Sequence, residues 1–248
     1  MLAVKNLDVV YNKVHLVQNL SFDIRGGECV CILGPSGSGK SISTKAMMGL
    51  LSPDFFVDGD VCLYSKSLLE HRELGKDITM IAQNPLTAFD NMTRIGPQII
   101  ETILAIEKLP AADVKQKAID LLERLQMPHD TMKMYPLELT ASLLQQIMVK
   151  LAQMMEPAVL VADCPTSAAN DATRDTIVKD LLGMKTKSTS IVLITQDLSV
   201  AQALADKVVV MNNGSVVDCG TFDKIISTSQ LDYAKYSNRA ANIAVKTA

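Results

Sequence analysis

Apolar and polar positions change rhythm along this chain, and each rhythm predicts a different kind of element. Residues 2–11, 16–24 and 29–33 show the two-residue alternation or continuous apolar runs of β-strands, with Gly26-Gly27 turning the chain between the last two. Residues 40–51 read as a helix, and 61–64 and 78–82 as further strands. Over 84–156 apolar residues recur at spacings of three and four, which predicts helices over 99–109, 112–125 and 143–155. Strand and helix then alternate: strands over 158–162 and 190–195, helices over 175–184 and 199–205. A hairpin of 207–211 and 215–218 closes on Asn212-Asn213-Gly214. From about Ser227 the polarity is mixed and predicts a loosely held tail. The pattern is that of one α/β domain. Its core takes in about 1–83 and 157–230, its helical insertion about 84–156 and its tail about 231–248.

Composition narrows the function classes. Lys plus Arg number 24 against 27 Asp plus Glu, a net charge of −3 that argues against a strongly basic nucleic-acid face. Aromatics are 4 % with no Trp, so a base-stacking platform is not expected. No apolar run approaches the roughly 18 residues of a membrane span, and Met1-Leu2-Ala3-Val4-Lys5 leads directly into strand-like sequence. A soluble intracellular protein is the expectation. Five cysteines without paired spacing and three histidines suggest neither a disulfide framework nor a metal cluster. Cys29, Cys31, Cys62 and Cys219 are expected to be buried thiols acting as small apolar side chains.

The strongest chemical signal is Gly34-Pro35-Ser36-Gly37-Ser38-Gly39-Lys40-Ser41. It fits G-x-x-x-x-G-K-[ST], directly after an apolar strand and directly before a helix. Glycines let backbone N–H groups turn inward around phosphates, and the helix N-terminus adds partial positive charge. In such a loop Lys40 reaches the β and γ phosphates and the Ser41 hydroxyl ligates Mg²⁺. The chemistry also needs an acidic partner for the metal at a strand end, and Val159-Leu160-Val161-Ala162-Asp163 supplies Asp163.

With these motifs placed, residues 2–230 resemble the nucleotide-binding subunit of an ATP-binding cassette (ABC) transporter, nearest the importer subfamily for oligopeptides, nickel and related metal chelates. Ile81-Ala82-Gln83-Asn84-Pro85-Leu86-Thr87-Ala88-Phe89 resembles that subfamily's Q-loop, and Arg94-Ile95-Gly96-Pro97-Gln98-Ile99 continues the likeness. Tyr135-Pro136-Leu137-Glu138-Leu139 resembles the lead-in to the signature motif, and residues 211–220 the late hairpin. The resemblance implies a mixed sheet flanked by helices, an antiparallel β subdomain and a helical insertion. It implies ATP and Mg²⁺ as ligands, with Ser41, Gln83 and Asp163 around the metal. Tyr11 falls where the family stacks an aromatic on adenine, with a core tyrosine on a strand the close second reading.

Three departures stand against these matches. The family's general base, a Glu directly after the strand-end Asp, is replaced by Cys164; the switch histidine is replaced by Gln196. The signature Leu-Ser-Gly-Gly reads Leu139-Thr140-Ala141-Ser142, followed by Leu143. Thr140 can still cap a helix, while Ala141 and Ser142 add side chains where close approach to a phosphate favours none. The next loop, Ser167-Ala168-Ala169-Asn170, also lacks the expected Leu-Asp ending, with Asp171 one place late.

Groups that hold nucleotide are kept, whereas groups that activate water or read a partner's nucleotide are altered. The resemblance therefore implies an ATP-binding importer subunit poor in hydrolysis, the degenerate half of a heterodimer. It would sit on the cytoplasmic face of the membrane with two permease subunits and, indirectly, an extracytoplasmic substrate-binding protein, and without nucleic acid. The alternative is a soluble ABC-type regulator that closes on ATP without a permease.

Overall fold

The computed structural model describes residues 1–71, 73–107, 109–186 and 189–228. The predicted tail at 231–248 and the last two residues of the predicted core lie outside them. Among the described residues are β1 (Leu2–Tyr11), β2 (Val14–Ile24), β3 (Cys29–Leu33), α1 (Lys40–Met47), β4 (Phe55–Leu63), β5 (Lys66–Ser67) and β6 (Ile78–Ile81). There follow α2 (Ile95–Ile106), α3 (Ala111–Arg124), α4 (Ala141–Met155), β7 (Val159–Asp163), α5 (Asp171–Thr186), β8 (Ser190–Ile194), α6 (Leu198–Leu204), β9 (Lys207–Asn212), β10 (Ser215–Gly220) and α7 (Phe222–Thr228).

The strands form one curled sheet in the order β5-β4-β1-β2-β10-β9-β3-β8-β7-β6. One half, β5 to β2, is antiparallel; β9, β3, β8, β7 and β6 run parallel. A single parallel pairing, Ser215 with Gln18, joins the halves. The parallel strands β3, β7 and β8 are buried along their whole length, as strands covered on both faces must be.

Three apolar clusters fill the molecule. One lies between the antiparallel half and the central strands, with Leu7, Leu20, Ile32 and Met47 among its members. A second covers the other face of the parallel strands with Met148, Val149 and Ala152 of α4, Leu181 of α5 and Leu204 of α6. The third holds the helical insertion together through Ile95, Ile99 and Ile103 of α2, Val114 and Leu122 of α3, and Leu144, Ile147 and Leu151 of α4. Helix α4 thus gives one face to the core and another to the insertion, which explains its nearly continuous apolar sequence.

Several expected boundaries shift for local reasons. The first helix ends at Met47 and not at residue 51, because Gly49 takes φ +60° and closes the turn with its N–H on the Ala46 carbonyl. Strand β4 begins six residues earlier than expected, at Phe55, where exposed acidic positions and Gly59 blur the apolar alternation. Helix α2 begins at Ile95, four residues early, since Pro97 sits in the first turn, where no N–H bond is required of it. The thiol expectation needs correcting too: Cys29 and Cys31 are buried, but Cys62 is half-buried and Cys219 is exposed.

Candidate functional site

The loop at residues 34–39 is shaped by close backbone approaches. Gly34 takes φ +150°, and a Cβ there would lie 2.1 Å from the Met211 carbonyl oxygen; at Gly39, φ +99°, it would lie 2.6 Å from the Leu16 carbonyl oxygen. The late hairpin braces the loop further. Its turn has positive φ at Asn213 and Gly214, and the Gly214 N–H donates to Ser38 O at 3.1 Å while Gly214 O accepts from Gln18 N at 2.8 Å. The asparagine-glycine signal predicted that turn but carried no hint of its bracing role.

Helix α1 opens on Lys40 with no side-chain cap, so its first-turn N–H groups face the loop as an anion cradle. The space beside the Cα of Gly37 is open, with nothing within 4 Å of a built Cβ. Lys40 is only 6 % exposed. Its ammonium donates to the carbonyls of Gly34 at 2.9 Å and Pro35 at 2.6 Å, and to Ser38 Oγ at 3.4 Å. Burial lowers its pKa, opposed by the neighbouring Cys164 and Asp163.

Asp163 ends β7 at 2 % exposure, and its Oδ1 has no hydrogen-bond partner among the described residues. A buried carboxylate oxygen left without a donor is costly, and a cation would supply what the polypeptide does not. By residue chemistry, the hydroxyl of Ser41 and the amide oxygen of Gln83 would add to this carboxylate the kind of oxygen donors Mg²⁺ takes. No group of three His, Cys, Asp or Glu that could hold a metal occurs among the described residues.

Cys164 follows in the left-handed region, φ +48°, its N–H bonded to Ile194 O at 2.8 Å. Burial, and then the charge and hydrogen bonding of Asp163, push its thiol up to about 12. Burial likewise raises Cys29 to about 12 and Cys31 well above its ordinary value. All three thiols therefore hold their protons in the folded chain at pH values where the unfolded chain releases them. Their contribution is intact below about pH 9 and is lost as the pH rises toward 12. A denaturation midpoint that falls across that window, and falls less in Cys164→Ser, is the expected result.

The remaining residues surround the same sheet end. Gln83 follows β6 and is exposed, and its carbonyl accepts from Ser167 Oγ at 3.0 Å. This link was not legible in sequence. Gln196 is exposed beside Asp197, which caps α6 through Ser199 N at 2.9 Å and lies 3.7 Å from Arg174 of α5. Asn170 accepts from Thr173 N at 2.9 Å, so the displaced Asp171 becomes the first residue of α5. Thr140 caps α4, its hydroxyl accepting from Leu143 N at 3.3 Å, as its residue type predicted. Tyr11 is not a core residue: it is 38 % exposed and stacks one face on Phe55, ring centroids 4.6 Å apart.

Comparison with known proteins fits this geometry. The family model described as "ABC transporter" matches residues 17–167. The oligopeptide transport ATP-binding protein OppD of Bacillus subtilis is 33 % identical over 240 residues, covering 91 % of this chain and 67 % of that protein. The metal-staphylopine import system ATP-binding protein CntD of Staphylococcus aureus is 31 % identical over 247 residues, covering 95 % and 91 %. The fold resembles that of the ATP-binding cassette MJ0796 bound to ADP and Pi. That likeness has a TM-score of 0.78 at 20 % identity and covers 90 % of this chain and 99 % of that one. No described helix is long and apolar enough to cross a membrane. Motifs, fold and relatives agree: the chain belongs to the ABC transporter family, as an ATP-binding domain.

Proposed function

We propose that this chain is the ATP-binding subunit of a membrane importer for peptides or metal chelates, and that it holds ATP–Mg²⁺ in a site that turns over slowly. The importer reading is supported by the names of OppD and CntD. The slow-site reading is carried by one observation: where a carboxylate base would stand, after Asp163 and near Lys40, there is a thiol pushed up to about 12.

ATP–Mg²⁺, when bound, would supply the phosphoanhydride and a cation to offset phosphate charge. With it bound, Lys40 would turn from its carbonyl partners to phosphate oxygens, and Ser41, Asp163 and Gln83 would hold the metal. Tyr11 offers its free face to adenine. Cys164, neutral at physiological pH, cannot take a proton from an attacking water. Gln196 can donate a hydrogen bond but cannot carry a proton as histidine does. Residues 140–142 face the nucleotide of a second ATP-binding chain, with the side chains of Ala141 and Ser142 crowding that approach. The partner chain would then supply most of the turnover. The pair would sit on two permease subunits at the cytoplasmic membrane face, served by an extracytoplasmic substrate-binding protein.

Calorimetry and phosphate release on the purified chain test this. ATP–Mg²⁺ should bind while turnover stays near background. Rapid turnover that Lys40→Ala abolishes would overturn the slow-site reading.

A further inference from the structure

Among the described residues, three buried side-chain polar atoms have no hydrogen-bond partner: Asp163 Oδ1 and both amide atoms of Gln145, Nε2 and Oε1. The first belongs to the site above. Gln145 does not enter that site, yet it is 0 % exposed in the second turn of α4. A glutamine amide offers two donors and an acceptor, and buried amides are paired as a rule. In the arrangement seen here an apolar side chain of similar size would serve α4 better. The amide is therefore matched to a different arrangement.

Topology locates its partner. Helix α4 leads through a three-residue connection into β7, which is parallel to β6. It packs against β6 and against the short 3₁₀ turn Pro85–Thr87, so it runs antiparallel to both strands. Its first two turns accordingly lie at the sheet end where β6 passes into Gln83 and β7 ends in Asp163. Gln145 shares a helix face with Met148, Val149 and Ala152. Those three pack in the cluster that contains Ile81, with Ala82 and Phe89 at its edge. The segment facing Gln145 is thus residues 82–89. That segment is folded on itself by Asn84 Oδ1 accepting from Leu86 N at 3.1 Å and Thr87 Oγ1 donating to Asn84 O at 2.7 Å. Beyond itself, it is tied to Ser167 through Gln83 O. Bonded within, it meets α4 as one unit, with Leu86 and Phe89 packed against the cluster that holds Leu144 and Ile147.

We propose that Gln145 is a positioning residue for the Gln83 segment. In the nucleotide-bound arrangement its amide bonds main-chain groups of residues 82–87, fixing the Gln83 segment to the helix whose first turn carries residues 140–142. This rests on the reading that the chain binds ATP–Mg²⁺, so the affinity of the unaltered chain is measured first. Absence of binding there would count against that reading and not specifically against Gln145.

The test uses the full chain and Gln145→Met, which keeps length and volume and removes the amide. The variant without nucleotide should melt no lower than the original. Its affinity for ADP–Mg²⁺ and for a non-hydrolysable ATP analogue should fall about tenfold, the worth of one or two hydrogen bonds. The direct readout is the Gln145 side-chain NH₂ resonance of the unaltered chain, which should shift and gain exchange protection on adding either nucleotide. If the chain binds nucleotide and this resonance does not move, the proposal is overturned, whether or not Gln145→Met folds. A buried water satisfying the amide in both states would give that same unmoved resonance.

Discussion

Introducing Cys164→Glu and Gln196→His together is expected to raise ATP turnover at this chain's own site by about 10²- to 10⁴-fold when the chain is paired with an ATP-binding partner whose own site is silenced, the usual contribution of a positioned general base. The backbone at 164 is ready for the change. Its left-handed φ of +48° is already borne by a non-glycine residue, and its N–H is anchored on Ile194 O. The surroundings that push the thiol up, burial first and then Asp163, would push a carboxyl group the same way. That would raise a glutamate's pKa toward physiological pH, where a carboxylate that is still ionised makes the most effective base. Gln196 is exposed, so histidine meets no packing obstacle there. Phosphate release from the reconstituted pair is the measurement. No gain would place the defect elsewhere, with residues 140–142 the next candidate.

The second large effect is at Lys40. Lys40→Ala should weaken ATP–Mg²⁺ binding on the order of 100-fold or more, the cost of removing one member of a buried charge-assisted contact. The fold should survive, because the Lys40 ammonium bonds only loop groups, the carbonyls of Gly34 and Pro35 and the Ser38 hydroxyl. Leaving those two carbonyls unpaired costs at most about 1–3 kcal/mol each, less where water reaches them. Calorimetry beside a thermal melt separates the two. An affinity within threefold of the original would remove this loop as the nucleotide site.

Much of the candidate site was legible because its residues are close together in sequence. The turn glycines, Lys40 and Ser41 occupy eight consecutive residues, and Asp163 closes a short apolar strand. The parallel strands were equally plain: β3 has the bounds its continuous apolar run predicts. Legibility failed where a role depends on distant chain. The Met211 carbonyl makes glycine necessary at Gly34, and Ser167 reaches Gln83 from 84 residues away; neither has a local pattern. Gln145 could be matched to the family pattern as a residue retained downstream of the signature, but its burial was not legible: α4 also carries Gln146, Lys150 and Gln153 among its apolar residues, and only packing sets the fully buried Gln145 apart from them.

Helix α4 packs on two cores at once, and of its fifteen residues only Ala141 is exposed. Every other position answers to packing, so sequence drift there would be paid in stability. Ala141 escapes that constraint, and the departure from the signature pattern falls at this end. Gln196 and the half-buried Cys164 also stand outside the fully buried interior. The altered positions are thus those that this architecture lets vary most cheaply. Divergence in chemistry could accumulate here without eroding the scaffold that carries it.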